Sequence, residues 1–86
     1  MTVLDVRQPA EWSAGHIPGA RFITGADIPE RLNEVSTTEP LAVVCGSGYR
    51  SAVIASFLRA RGHNDVHSVI GGMSAWRIAG LPTESE

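Results

Sequence analysis

The sequence predicts an α/β domain in which helices cover both faces of a mostly parallel sheet. Short apolar runs, rich in β-branched residues, have the length of strands and occur at residues 3–6, 21–23, 41–44 and 66–70. Stretches with helical features follow them, at residues 10–14, 25–35, 51–61 and 71–79. Strict alternation of the two through short links is typical of parallel sheets. We therefore expect about four parallel strands.

Length, charge and cysteine content narrow the class of protein. The 86 residues predict a single domain spanning residues 1–86, and a hydrophobic content of 43% argues against disorder. Seven basic and nine acidic residues provide no electrostatic surface for nucleic acid or for an anionic membrane. No apolar run approaches the roughly 20 residues that cross a bilayer, and residues 1–7 lack the pattern of a signal peptide. A single cysteine excludes an internal disulfide and suits a reducing compartment, so we expect a cytoplasmic domain.

The first half of the chain carries signals for where its helices begin and end. Pro9 stands near the first position of a short helix, and Gly15 ends it. Residues 15–20 form a turn-rich connector to the second strand. For the next helix, Asp27 is the expected N-cap, with Glu30 three residues later as in a capping box.

The second half of the chain contains the central strand and two further helices. Residues 41–44 are apolar throughout, as expected for a strand that is covered on both faces. The helix expected over residues 51–61 has its apolar residues at helical spacing, namely Val53, Ile54, Phe57 and Leu58. In the last helix, Trp76 is expected to belong to the core.

The only cysteine, Cys45, stands where the central strand ends and the chain turns sharply. Gly46 and Gly48 permit a tight loop, and loop amides at a helix N-terminus form an anion-binding nest. A thiol in such a nest loses its proton easily, because the nest stabilises the thiolate. Arg50 adds a permanent cation with a planar fork of donors, and Ser51 is an expected helix cap. A buried cysteine is most often a small packing residue, but this context favours a nucleophilic or anion-binding role.

Three motifs carry a resemblance to a known family. Cys45 and Arg50 are separated by four residues and followed by a serine, in a loop between strand and helix. Two further motifs, at residues 3–20 and 71–82, stand before and after this loop at the expected spacing. The chain thus resembles a rhodanese sulfurtransferase domain over nearly its whole length. The amino-acid sequence of its loop is most similar to that of rhodanese domains fused behind metallo-β-lactamase-fold hydrolases, some of which are persulfide dioxygenases.

The resemblance implies a fold, a reaction and a set of site residues. The fold would be rhodanese-like, and the catalytic residues would be Cys45 and Arg50. Cys45 would take a sulfur atom from thiosulfate or a glutathione persulfide-type donor and pass it to a thiol or cyanide acceptor. No metal or organic cofactor is implied. The residues that would bind the substrate are those of the loop, namely Gly46, Ser47, Gly48, Tyr49 and Ser51.

Asp5 and Arg7 are expected to support this loop. Asp5 lies near the end of a strand that should neighbour the Cys45 strand, so it could accept loop amides or pair with an arginine. We expect Arg7 to pair with Glu11 and so to pin the connector. His16, in the connector, is expected to shape its turn through a hydrogen bond, whereas His63 and His67 are expected to be surface or structural residues.

Two other functions stay open at this point. Phosphatase and arsenate reductase loops also join a cysteine to an arginine, but they carry one residue more, which widens the cradle for a tetrahedral oxyanion. The chain could instead be a non-catalytic sulfur carrier or regulatory module of a larger protein.

The family also implies a strand and helix ahead of the first motif, which this chain lacks. Their absence would leave the strand at residues 66–70 as an unpaired edge. We therefore expect the chain to be a segment of a longer protein, with an upstream metallo-β-lactamase-fold domain as a candidate partner. The alternative is a minimal variant whose edge is covered by a second copy.

Overall fold

A parallel sheet of four strands organises the protein, whose structure is a computed structural model that describes residues 2–46 and 49–85. The strand order is β2-β1-β3-β4, and every neighbouring pair is parallel. The strands are β1 (Thr2–Asp5), β2 (Arg21–Phe22), β3 (Leu41–Val44) and β4 (Val66–Ser68). This topology confirms the predicted fold class, and it places β4 at an edge of the sheet.

In the described part of the chain, three α-helices and one 3₁₀ segment connect and cover the strands. The helices are α1 (Pro9–Ala14), α2 (Tyr49–Ala60) and α3 (Gly72–Ile78), and the 3₁₀ segment is Gly25–Glu34. None of the helices in residues 2–46 and 49–85 has the length and apolar character needed to cross a membrane.

The two faces of the sheet are covered by different elements. On one face, β1 and β3 contribute Leu4 and Val43 to a buried cluster with Leu58 of α2 and Ile28 of the 3₁₀ segment. On the other face, the next residue of β3, Val44, packs against Met73 of α3. Alternate side chains of a strand point to opposite faces, so coverage of both explains why β3 is apolar throughout.

The register brings the carboxyl ends of the central strands together. Asp5 of β1 lies beside Val44 of β3, and Val43 lies beside Ser68 of β4. Cys45 comes directly after β3, at the end of a parallel sheet where ligand sites commonly form.

The 3₁₀ segment differs from the predicted helix, and Asp27 is not its N-cap. Thr24 occupies that position, and the Thr24 hydroxyl donates a hydrogen bond to the Asp27 carboxylate at 2.8 Å. Pro29 lies inside the segment, and the backbone at Arg31 departs from helical geometry. A proline in the interior removes a hydrogen-bond donor, which favours short 3₁₀ turns over a continuous α-helix.

The bounds of two other elements differ from the predicted ones by more than one residue. Helix α2 begins at Tyr49, so Ser51 is its third residue and the prediction that Ser51 caps the helix is wrong. The Ser51 hydroxyl lies instead 2.7 Å from the Ser68 hydroxyl. Strand β4 ends at Ser68, where the chain turns toward α3, and not at residue 70.

Two of the histidines make structural contacts, and the third is exposed. His16 stacks on Trp12 with ring centroids 3.5 Å apart, and its Nδ1 lies 2.8 Å from the Trp12 carbonyl oxygen, which confirms its turn-shaping role. His63 is buried against the Ser36 carbonyl, and His67 is exposed. Within residues 2–46 and 49–85, no group of three or more His, Cys, Asp or Glu side chains could hold a metal ion.

Candidate active site

The sulfur of Cys45 lies against the first turn of α2. The residue is fully buried, and the Ser51 backbone N–H donates a hydrogen bond to its Sγ atom at 3.3 Å. The Ser51 hydroxyl oxygen lies 3.6 Å from the same sulfur. A helix N-terminus carries partial positive charge, so this placement favours an anionic sulfur over a neutral one.

Helix α3 holds the start of the loop from the other side. The Met73 N–H donates to the Cys45 carbonyl oxygen at 2.7 Å, and the Ser74 N–H donates to the Gly46 carbonyl oxygen at 3.0 Å. Carbonyl and N–H point in opposite directions across a trans peptide, so the Gly46 N–H is directed away from α3.

A backbone glycine makes this approach feasible. Gly72 has a φ of +54°, and a Cβ added to it would overlap the Cys45 carbonyl oxygen and lie 2.9 Å from the Gly46 carbonyl. Only a residue without a Cβ fits there, because both the conformation and the space exclude a side chain.

Arg50 pairs across the loop with Glu11 of α1. Its two terminal nitrogens, Nη1 and Nη2, each lie 3.3 Å from a carboxylate oxygen of Glu11. Both side chains are about two-fifths exposed, at 43% for Arg50 and 39% for Glu11. The pair closes over Gly46, where an added Cβ would lie 3.4 Å from Arg50 Nη2.

In this pair the pKa of Glu11 is lowered and the pKa of Arg50 is raised. The pKa of Glu11 is lowered, first by the hydrogen bond from the Gln8 backbone N–H and then by Arg50, which together outweigh desolvation. The pKa of Arg50 is raised, first by its hydrogen bond to Glu11 and further by negative charge at Glu11, Cys45 and Asp5. Arg50 therefore carries its positive charge throughout the physiological pH range.

Asp5 and Arg7 form a buried ion pair behind the loop. Asp5 is fully buried and accepts hydrogen bonds from the Arg7 backbone N–H, Nε and Nη2 at 2.9–3.0 Å. Arg7 also donates to the Gly15 carbonyl at 2.7 Å, which ties β1 to the end of α1. The predicted Arg7–Glu11 pair is therefore wrong, because Arg7 turns inward to Asp5 and Glu11 turns to Arg50.

A groove of about 360 Å³ runs beside Arg50. Its walls are mainly apolar and include Val6, Gly25, Tyr49, Val53 and Ile54. Tyr49 is 78% exposed at the rim, where an organic ligand could contact its ring.

Comparison with known proteins assigns the family. The sequence profile of the rhodanese-like domain matches residues 1–79. The chain is a rhodanese-like domain. This assignment confirms the resemblance drawn from the three motifs.

Relatives of this rhodanese-like domain include named sulfurtransferases. The thiosulfate sulfurtransferase GlpE of Pseudoalteromonas translucida is 37% identical over 79 residues, which cover 92% of this chain and 75% of that protein. The protein of the same name from Pseudomonas putida is 37% identical over 83 residues, covering 96% and 74%. The putative sulfur carrier protein YrkF of Bacillus subtilis is 33% identical over 76 residues, covering 88% of this chain and 41% of that protein.

Solved structures share the same architecture. A rhodanese-related protein from Thermoplasma volcanium superposes with a TM-score of 0.93 at 34% identity, covering 99% of this chain and 84% of that one. A rhodanese-like domain protein from Staphylococcus aureus has a TM-score of 0.89 at 37% identity, covering 99% and 80%.

The structure brings most of the predicted site residues of this rhodanese-like domain together. Cys45, Gly46, Arg50 and Ser51 are neighbours, and Tyr49 borders the groove beside them. The predicted substrate-binding residues Ser47 and Gly48 lie outside the described residues. The catalytic and binding roles of these residues stay predictions.

Sequence reasoning missed three residues of this site. Glu11 is predicted to pair with Arg7 and not with Arg50, although its spacing from Gln8 is that of a capping box, which fixes it at the start of α1. Ser68 is predicted only as a strand residue, and its hydroxyl among apolar neighbours is the available signal. Gly72 is predicted only as the start of a helix, and no local signal reports its contact with the loop.

Proposed function

We propose that this rhodanese-like domain is a sulfurtransferase that works through a persulfide on Cys45. The observation that carries the proposal is the position of the Cys45 sulfur, which accepts the Ser51 N–H at the N-terminus of α2. A buried thiol used only for packing would gain nothing from an amide donor and a neighbouring arginine. The sulfurtransferase names of the GlpE relatives support the same reading.

The proposed reaction has two steps that each conserve charge. In the first, the Cys45 thiolate attacks the outer sulfur of thiosulfate; a new S–S bond forms and sulfite leaves with the electron pair of the broken S–S bond. In the second, an acceptor such as cyanide attacks the outer sulfur of the Cys45 persulfide. Thiocyanate leaves and the thiolate is restored, so no redox partner is required.

The protein's part in this reaction is to hold negative charge in place. The Ser51 N–H and the N-terminus of α2 face the Cys45 sulfur, which carries the charge of the thiolate and is bonded to the outer sulfur that carries the charge of the persulfide. Arg50 would bind the sulfonate or carboxylate end of the donor. Both carboxylate oxygens of Glu11 lie 3.3 Å from nitrogens of this guanidinium. A dianionic donor would therefore have to displace the Glu11 carboxylate from Arg50.

The physiological donor and acceptor are a finer part of the proposal. Thiosulfate and a glutathione persulfide-type molecule both present a transferable sulfur and an anionic group for Arg50. The groove lined by Tyr49 and Val53 gives room for the organic part of a larger donor or acceptor. An upstream metallo-β-lactamase-fold partner stays a prediction from the amino-acid sequence of the loop, because the relatives named above do not test it.

The test combines thiosulfate and cyanide with the purified domain and measures thiocyanate. We expect thiocyanate from the wild type and none above the uncatalysed rate from Cys45→Ser. Ser56→Ala, an exposed hydroxyl on α2, is the matched control and should behave as the wild type. Hydrolysis of aryl phosphates without thiocyanate formation would contradict the proposal and favour a phosphatase.

A second measurement separates an enzyme from a sulfur carrier, a possibility that the name of the YrkF relative supports. After incubation with thiosulfate or a persulfide donor, intact-mass spectrometry should find one added sulfur atom on Cys45. A carrier would accumulate this adduct without rapid turnover to cyanide. Absence of the adduct with every donor would contradict both functions.

A further inference from the structure

Two hydroxyl groups lead from the Cys45 sulfur to the edge of the sheet. The Ser51 hydroxyl oxygen lies 3.6 Å from the sulfur and 2.7 Å from the hydroxyl oxygen of Ser68, the last residue of β4. Ser68 is half-buried, and neither hydroxyl of the pair is used by the sulfur-transfer steps described above.

The sheet register places these groups on one side. Ser68 lies beside Val43 in the parallel ladder, so the two side chains point to the same face. Cys45 comes two residues after Val43 and packs in the same core cluster, against α2. Ser51, in the first turn of α2, lies close to both the Cys45 sulfur and the Ser68 hydroxyl. The Ser51–Ser68 contact therefore follows from the fold and not from chance orientation at the surface.

The favoured direction of the hydrogen bonds depends on the charge of the sulfur. A thiol can donate its proton to the Ser51 oxygen, and Ser51 can then donate to Ser68. A thiolate has no such proton and accepts hydrogen bonds strongly, which favours Ser51 turning its own proton toward the sulfur. The 2.7 Å contact then persists only if Ser68 donates to Ser51.

We propose that Ser68 is a positioning residue for Cys45, whose hydroxyl reverses direction with that of Ser51 when the sulfur ionises. In the anionic state the chain runs Ser68 to Ser51 to sulfur and ends on a full negative charge. Hydrogen bonds to a charged group are roughly twice as strong as neutral ones, and a chain polarises each member. Loss of the Ser68 hydroxyl should therefore destabilise the thiolate form of Cys45 more than its thiol form. Its effect on the persulfide rests on the proposed function, but its effect on the thiolate does not.

Other charged groups stand on the elements around the sulfur, and they set the background of the measurement. Helix α2 contributes Arg50, helix α1 contributes Glu11, and strand β1 contributes Asp5, which is paired with the Arg7 that follows the strand. On β4, His67 is exposed and pairs with Asp65. The residues of α3 that meet the loop, Gly72, Met73 and Ser74, are not titratable. A substitution at Ser68 leaves all of these groups in place.

The test is the absorbance of the thiolate near 240 nm as a function of pH, with Cys45→Ser as the blank. Cys45 is the only cysteine, so the signal belongs to one sulfur and needs no reagent to reach it. We expect Ser68→Ala to move the ionisation midpoint up by about half a pH unit, a threefold change in the thiolate-to-thiol ratio. Ser68→Thr keeps the hydroxyl and should restore the midpoint, and Ser56→Ala should not move it.

Each outcome decides the proposal. An unchanged or lowered midpoint in Ser68→Ala, even with a lower melting temperature, would show a purely structural role and overturn it. A midpoint in Ser68→Thr equal to that of Ser68→Ala would overturn it as well, because the hydroxyl would not be responsible. If the midpoint moves as expected while the wild type forms no thiocyanate, the proposed function fails and the role of Ser68 stands.

Discussion

Replacing Gly72 by alanine tests how the active-site loop is held. Gly72 begins α3 with a φ of +54°, and its backbone approaches that of Cys45 and Gly46. The next two N–H groups of α3 donate to the Cys45 and Gly46 carbonyl oxygens at 2.7 and 3.0 Å. An added methyl group would overlap the first of these oxygens, so α3 and the loop would have to separate.

The cost of this separation can be summed from its parts. The left-handed conformation costs a residue with a Cβ roughly 1–2 kcal/mol. The two backbone hydrogen bonds contribute about 0.5–1.5 kcal/mol each. We therefore expect Gly72→Ala to lower the free energy of unfolding by roughly 2–5 kcal/mol. At about 4–8 °C per kcal/mol for a domain of this size, the melting temperature should fall by at least about 8 °C.

Gly80→Ala separates the two causes. Gly80 has a similar φ of +72°, but an added Cβ would meet nothing within 4 Å, so only the conformational cost applies. Urea unfolding of both variants should show Gly72→Ala losing at least about 1 kcal/mol more than Gly80→Ala, the part due to the loop contacts. Equal losses in the two variants would refute the argument that α3 and the loop are in close contact.

Two other perturbations address the ion pairs. Asp5→Ala should cost about 3–5 kcal/mol in urea unfolding because it leaves the buried Arg7 guanidinium without its partner, and the double variant with Arg7→Met should cost less than the single one. A double variant that is less stable than Asp5→Ala alone would contradict this. The lowered pKa of Glu11 means that its carboxylate stabilises the fold above the ordinary glutamate pKa of about 4.3, and that this stabilisation is lost as the pH falls through the lowered value. Glu11→Gln should thus lower the melting temperature by no more than a few degrees at pH 7, since exposed pairs contribute at most about 1 kcal/mol, and the difference from wild type should shrink as the pH falls through the lowered value. A difference that does not change with pH would show that the charge of Glu11 is not its source.

Some of this site could be predicted because its chemistry is local. Cys45 and Arg50 stand a few residues apart in one loop, between an apolar strand and a helix, and their proximity follows from the chain itself. The Asp5–Arg7 pair is also local: the two residues are two apart, as alternate residues on one face of a strand are. The expectation that Arg7 pairs with Glu11 used the same kind of reasoning but ignored burial, which draws Arg7 to the nearest buried anion.

The sequence by itself determines three features of this protein. They are the alternation of strands and helices, the parallel sheet and the position of the cysteine at the end of a strand. They follow from hydrophobic periodicity and turn chemistry, which act over a few neighbouring residues. Three contacts of the site join distant residues: Arg50 and Glu11 are 39 positions apart, Ser51 and Ser68 are 17 apart, and Gly72 and Cys45 are 27 apart. Such contacts depend on how α1, β4 and α3 pack around the end of β3, and packing is set by the whole core at once.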